Sequence, residues 1–534
     1  MTVAHETITL TGNLIIGAQD VRGTDGEIAA VDPRTGQALE PSYGLGGAAD
    51  VERATTLAAE AFATYRQTDP DVRAGFLERI AERIDGLGEQ LTERVQAETG
   101  LPRARAESER ARTTNQLRLF ASVLREGSWR GARVDPGQPE REPVPRPDVR
   151  QRAVALGPVA VFGASNFPLA FAVAGGDTAS ALAAGCPVVV KAHEAHPGTS
   201  ELVARAIQAA VRDSELPAGT FSLLFGSGPG LGTALVTDPR IKAVGFTGSR
   251  SAGLALTAAA AGRAEPIPVY AEMSSVNPVF ILPDALRQRP EELGAAYIAS
   301  VTTGAGQLCT SPGLVFVQDG EGADEFLAAA AEATGHTAAA PMLTSGIREA
   351  YDRGADALAS RESVQRVAVG SAADDIACAG QARLFATTGD AFLAEPELHG
   401  EVFGATSLVV LVRDRAQLER VVDALEGQLT ATIHATTADH DLAGGLLPAL
   451  ELKAGRVLFN GWPTGVEVGH AMVHGGPFPA TSAPRTTSVG TRAIERFLRP
   501  VAYQNVPGEL LPDELRDGNP LGLWRRVDGE LGRH

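Results

Sequence analysis

Up to about Arg130 the chain repeats apolar side chains at three- and four-residue spacing. Ala48 to Tyr65, Val72 to Thr99 and Leu101 to Glu126 each gather them on one helical face. A short β-like run, Thr7 to Leu14, precedes them. A charged, Pro/Gly-rich segment from Asp135 to Asp148 follows and reads as a connector or extended arm. From Arg152 the pattern changes to short apolar runs separated by helical patterns. Val159 to Phe162, Pro187 to Lys191, Phe221 to Phe225, Ala243 to Phe246 and Ile267 to Glu272 read as strands. Ala170 to Ala184 and Thr199 to Val211 read as helices between them, the second capped by Thr199-Ser-Glu201. This alternation predicts an α/β fold: a parallel sheet with helices on both faces. A second α/β stretch runs from about Ala296 to Gly475, and the polar tail after Pro500 reads as a surface wrap.

At 534 residues the chain holds two or three domains. A 44% hydrophobic and 21% charged composition is that of a globular protein in water. The formal charge of −18 argues against nucleic acid or an anionic membrane as partner. Ala153 to Gly176 is uncharged and long enough to span a bilayer, but Gly157-Pro158 and Asn166-Phe-Pro168 break it. Three cysteines, Cys186, Cys309 and Cys378, carry no metal-ligand spacing and fit a reducing compartment. The N-terminal Met-Thr-Val-Ala-His-Glu lacks the basic and apolar regions of a secretory signal. A cytoplasmic protein without a metal site is the expectation.

Ligands bind outside the carboxyl ends of parallel strands, so the candidate chemistry is sought there. Cys309 lies in Gly304-Ala-Gly-Gln-Leu-Cys-Thr-Ser-Pro312, where nearby N–H groups can stabilise a thiolate nucleophile. Its alternative is a small buried hydrophobe. Lys191, one of three lysines, ends the second strand. Phe246-Thr-Gly-Ser249 ends the fourth and opens a helix suited to a phosphate. Glu272 ends the fifth as a base or a capping acid. Asn166, after the first strand, offers its amide to an oxyanion or closes an Asx turn. Glu401, in His399-Gly-Glu-Val-Phe-Gly404, sits in a turn where a solvated carboxylate is the plain alternative.

Together, Asn166, Lys191, Phe246-Thr-Gly-Ser249, Glu272, Gly306-Gln-Leu-Cys309 and Glu401-Val-Phe-Gly404 resemble the NAD(P)-dependent aldehyde dehydrogenase superfamily. The likeness runs from about Leu10 to Pro500. Asn166-Phe-Pro-Leu-Ala-Phe171, His196-Pro-Gly-Thr-Ser200 and His474-Gly-Gly-Pro-Phe-Pro-Ala480 look like its branch acting on 2,5-dioxovalerate (α-ketoglutaric semialdehyde) and on fatty aldehydes. Met273-Ser-Ser275 and Ala405 depart from the superfamily's common Leu-Gly-Gly and proline.

The resemblance implies Cys309 as nucleophile, Asn166 with the Cys309 N–H as oxyanion donors, and Glu272 as hydrolytic base. It also implies cofactor contacts from Lys191, Glu194, Gly248, Ser249, Glu401 and Phe403. A carboxylate at Glu194 accepts from the 2′-OH of NAD and repels the 2′-phosphate of NADP, so NAD is expected, with NADP possible. Phe167, Phe171 and Phe478 would line the aldehyde tunnel, and Arg118 would take a semialdehyde's distal carboxylate.

The implied architecture is a Rossmann-like cofactor domain (1–129 and 152–275) and a catalytic α/β domain (276–484). A β arm for oligomerisation (130–151 and 485–501) and a tail (502–534) complete it, with a homodimer or homotetramer as the assembly. Three rivals are weighed. A CoA-acylating relative would not need Glu272. A Cys–His thiol hydrolase needs a histidine partner for Cys309 that no motif identifies. A non-catalytic homologue would have lost the site residues.

Overall fold

The computed structural model describes residues 7–533; the N-terminal hexapeptide read above for a secretory signal lies outside them. Five strands pair in parallel, in the spatial order Val269–Glu272, Ala243–Thr247, Val159–Phe162, Val188–Lys191, Phe221–Leu224. They are almost wholly apolar because helices cover both faces; Val159, Ala160 and Val161 are at most 1% exposed. After Phe221–Leu224 the chain crosses back, laying Ala243–Thr247 on the other side of Val159–Phe162. Such a reversal opens a crevice at the carboxyl ends of the strands.

Several local readings are corrected. Thr7 to Leu14 is not a strand: Thr11 and Gly12 donate their N–H groups to buried Glu201, and pairing starts at Leu14–Ile16. That strand and Gln19–Val21 extend the sheet in antiparallel fashion. The Val72–Thr99 pattern is two helices, Pro70–Gly86 and Gly88–Thr99. The helix expected from Ala170 begins at Gly176. The one expected to be capped by Thr199-Ser200 begins at Pro197, and its free N–H groups at Gly198 and Thr199 go to Glu98, a carboxylate 100 residues away. Local sequence cannot reveal a cap supplied by another helix. Among the described residues no helix is long and apolar enough to cross a membrane.

A second seven-stranded sheet runs Gln365–Val369, Arg383–Thr388, Thr406–Val412, Leu314–Gln318, Val279–Ile281, Gln428–His434, Ala454–Phe459, parallel except for its first pair. The chain passes from Glu272, on the edge of the first sheet, to Val279 inside the second, so the crevice lies between the two. A third sheet of five strands joins Leu498–Gln504, Val149–Ala155, Arg133–Asp135, Arg525–Val527 and Glu530–Gly532. The tail is therefore no loose wrap: it supplies two strands, and Glu514 ties it down by pairing with Arg130 and Arg152.

Candidate active site

Cys309 follows a backbone shape that sequence punctuation alone marks. Gly304, Ala305 and Gly306 are all left-handed, at φ 61°, 56° and 70°. Gly306 has a second reason to be glycine, since a Cβ there would lie 2.2 Å from the Gly404 carbonyl carbon. The cysteine loop and the Glu401-Val-Phe-Gly404 turn are thus in backbone contact. Asn166 Nδ2 donates to the Gln307 carbonyl at 3.0 Å, and Asn277 Nδ2 donates to the carbonyls of Cys309 (2.8 Å) and Ser311 (2.9 Å). Asn277 is held by Ser275 and Thr430 on its own oxygen. The loop is pinned from both sheets, which is what positioning a nucleophile requires.

Glu272, His474 and Cys309 present their functional atoms within 4.8 Å of one another. His474 Nε2 lies 2.9 Å from Glu272 Oε1 and 3.5 Å from Cys309 Sγ, and Ser488 Oγ donates to Glu272 Oε2 at 2.8 Å. Burial alone would push Glu272 up; His474, Ser488 and Cys309 together overcome it and hold the carboxyl below its ordinary value. The Cys309 thiol moves the other way. Burial and the Glu272 charge raise it well above its usual value, with Arg112 opposing. Both effects work against the thiolate stabilisation expected from the sequence. The two titrations are coupled: passing the thiol proton to Glu272 removes the charge that disfavours the thiolate.

His474 is the histidine partner that no motif identified, but its geometry does not make a Cys–His base. A bond to an ionised carboxylate requires Nε2 to carry the proton and donate it. The opposite tautomer would bury an N–H at Nδ1, which has no partner. Nε2 therefore has no lone pair for the thiol, and His474 positions Glu272 instead. Carboxylate, imidazole and thiol are also donors that zinc accepts; here they are engaged with one another.

Of the cofactor candidates, Lys191, Glu194, Gly248 and Ser249 gather at the carboxyl ends of the first sheet, whereas Glu401 and Phe403 precede the second-sheet strand Thr406–Val412. Lys191 Nζ is 3.4 Å from Glu194 Oε1, which also accepts the Gly228 N–H at 3.3 Å. Burial lowers the Lys191 ammonium's pKa, and with one partner its three donors are not exhausted. Gly248 and Ser249 precede the helix Arg250–Ala261, where Ser249 Oγ accepts from Ala252 N at 3.4 Å. Glu401 and Phe403 line a crevice with Ser275, Gly306 and Leu308. Desolvation by the protein packed round the carboxyl pushes Glu401 up to about 8, the Ser275 N–H opposing and the Glu272 charge adding, although the residue as a whole keeps solvent contact.

Of the substrate candidates, Phe167 and Phe171 form an edge-on pair at 5.1 Å, and Phe171 lies 5.9 Å from the His474 ring. Phe478 does not join them: it is 54% exposed and stacks beneath Arg250 at 5.5 Å. Arg118 is also displaced from its expected role, being an exposed partner of Asp85 at 2.6 Å on the outer surface. Six residues are about 120° round a helix, so Arg118 faces away from its neighbour Arg112, which does lie over the aromatic pair. The seven-residue spacing of Arg105 and Arg112 was the available signal for that face. His474 stood in a quoted motif without a role. Ser488 and Asn277 carried no signal.

The sequence profile of the aldehyde dehydrogenase family matches residues 21–478. The chain is 56% identical over 522 residues to alpha-ketoglutaric semialdehyde dehydrogenase 2 of Azospirillum brasilense, covering 98% of this chain and 99% of that one. It is 51% identical over 483 residues to alpha-ketoglutaric semialdehyde dehydrogenase of Acinetobacter baylyi, covering 90% and 91%. Among solved structures, aldehyde dehydrogenase C of Pseudomonas syringae, complexed with NAD+ and octanal, superposes with a TM-score of 0.80. The match has 23% identity over 95% of this chain and 100% of that one.

Proposed function

The chain belongs to the aldehyde dehydrogenase family, and on that premise we propose that it oxidises α-ketoglutaric semialdehyde to 2-oxoglutarate with NAD in preference to NADP. Members of this family are oxidoreductases acting on aldehydes with NAD(P). The observation that carries the reading is the Cys309 thiol beside a Glu272 carboxylate kept ionised by His474 and Ser488.

Glu272 takes the thiol proton and Cys309 Sγ bonds to the aldehyde carbon, whose oxygen becomes the oxyanion. The free N–H of Asn166 and the Cys309 N–H stabilise it; one such donor is worth about 3 kcal/mol. NAD(P), when bound, supplies the two-electron acceptor. Glu272 passes the thiol proton on to solvent and is again ionised when water enters at the Cys309 thioester; it then removes the water proton, and the acid leaves as the Cys309 thiolate is released. Lys191 and Glu194 would hold the adenosine ribose, Gly248 and Ser249 the pyrophosphate, and Glu401 with Phe403 the nicotinamide end. Spare donors on Lys191 and a helix start beside Gly248 suit those groups. Phe167 and Phe171 form the apolar wall beside the sulfur. Glu194 supports the preference for NAD. Edge strand Glu530–Gly532, with Leu531 57% exposed, supports pairing between arms in a cytoplasmic homodimer or homotetramer.

The test is reduction of NAD and NADP, followed by near-ultraviolet absorbance, with α-ketoglutaric semialdehyde and aliphatic aldehydes. Turnover favouring NAD and the oxo-acid semialdehyde, abolished in Cys309→Ala, is expected. Turnover of aliphatic aldehydes alone would reject the substrate and keep the chemistry.

A further inference from the structure

Helix Arg103–Glu126 carries two guanidiniums over the aromatic pair, and their partners differ. Arg105 sits 4.5 Å above the Phe167 ring with Nε on Glu109 Oε2 at 3.3 Å. Glu109 Oε1 is already taken by the N–H groups of Leu169 and Ala170. Arg112 lies 5.4 Å from the Phe171 ring and 6.0 Å from Phe167, yet its Nε and Nη2 are buried without a hydrogen-bond partner. It forms no ion pair among the described residues; Glu109 and exposed Glu467 act on it only at a distance. Its charge reaches Cys309, and so does that of Arg456. Arg456 is held by the carbonyls of Gly465 and Pro463, with Nε buried and unpaired. The charges of both guanidiniums act on the nucleophile. Leaving two buried N–H groups of the Arg112 guanidinium unpaired costs folding free energy that its aromatic contacts only partly offset.

We propose that Arg112, backed by the charge of Arg456, is the subsite for the substrate's distal carboxylate. This rests on the aldehyde-oxidation reading and makes the substrate class an ω-oxo carboxylate. Nε–H and Nη2–H lie on one edge of the guanidinium, matching the two oxygens of a carboxylate. Phe171, between Arg112 and His474, would carry the intervening methylenes. The subsite selects by charge and length, since an uncharged aldehyde leaves both cations unpaired.

The test compares kcat/KM for α-ketoglutaric semialdehyde and for hexanal in wild type, Arg112→Ala and Arg112→Lys. Removing a cation beside Cys309 slows both substrates, so the ratio is the readout. The ratio is expected to fall about 100-fold in Arg112→Ala, mostly through KM, and less in Arg112→Lys. An unchanged ratio overturns the subsite. A wild type that oxidises neither aldehyde overturns the aldehyde reading itself. If Arg112→Ala does not fold, glutarate inhibition of hexanal oxidation by wild type decides. Competitive inhibition, weakened at least tenfold in Arg112→Lys, supports the subsite, and indifference to glutarate rejects it.

Discussion

Two carboxylates flank the cysteine loop, and they have opposite characters. Glu272 is 4% exposed and carries two strong donors, His474 and Ser488; its carboxyl is held below the ordinary range. Glu401 keeps solvent contact in a turn that touches Gly306, has only the Ser275 N–H in its favour, and is pushed up to about 8. Desolvation pushes both carboxyls up, and only at Glu272 do hydrogen-bond donors and charge outweigh it. The number and strength of donors aimed at the oxygens decide the outcome. A pair of carboxylates driven apart in this way suits the division proposed above, with Glu272 as the base and Glu401 at the cofactor's end.

The largest effect should come from abolishing the charged member. Glu272→Gln is expected to slow steady-state turnover by about 100- to 10,000-fold. A burst of acyl-enzyme on mixing would locate the loss in hydrolysis; unchanged turnover would remove Glu272 as the base. His474→Ala tests what keeps Glu272 charged. Without its strongest donor, burial raises the carboxyl, so the acid limb of the pH–rate profile moves to higher pH and activity falls about tenfold at neutrality. An unmoved limb would mean that Ser488 suffices.

Glu401→Gln addresses the other member. Its carboxyl takes a charge only as pH rises through about 8, so NAD is expected to bind a few-fold tighter across that interval, and the glutamine variant should lose that dependence. The stability signs also oppose. A raised acid pKa means the folded state binds more protons between the ordinary value and about 8, so Glu401 weakens the fold as pH rises through that window. Glu272, being lowered, stabilises above its ordinary value and loses that contribution as pH falls; thermal melting of the two glutamine variants against pH checks both slopes. The smallest effect is expected from Arg118→Ala, where an exposed pair with Asp85 is worth about 0–1 kcal/mol and KM for the semialdehyde should not change.

The parallel sheet, its helices and the order of the site motifs were legible because apolar runs and strand-end positions are local. Lys191 and Glu272 were singled out for the same reason, since each ends a readable strand; Asn166 follows one, and Cys309 stood out by its Gly-rich surroundings. The left-handed loop before Cys309 was announced by Gly304 and Gly306. Arg118 and Phe478 were chosen for chemistry without knowledge of direction, and they point to solvent. Glu98 capping a helix at Gly198, and tail strands joining Val149–Ala155 through Arg133–Asp135, depend on pairings that no local spacing encodes.

The chain's sequence by itself determined which elements form and which residues stand at strand ends, because side-chain periodicity and glycine's backbone freedom act over a few residues. Only the tertiary structure decided which of those residues are charged and what they face. Ionisation and selectivity at Glu272, Cys309 and Arg112 depend on donors, charges and burial brought from His474, Ser488 and Phe171. Those groups become neighbours only when the two sheets close on one crevice.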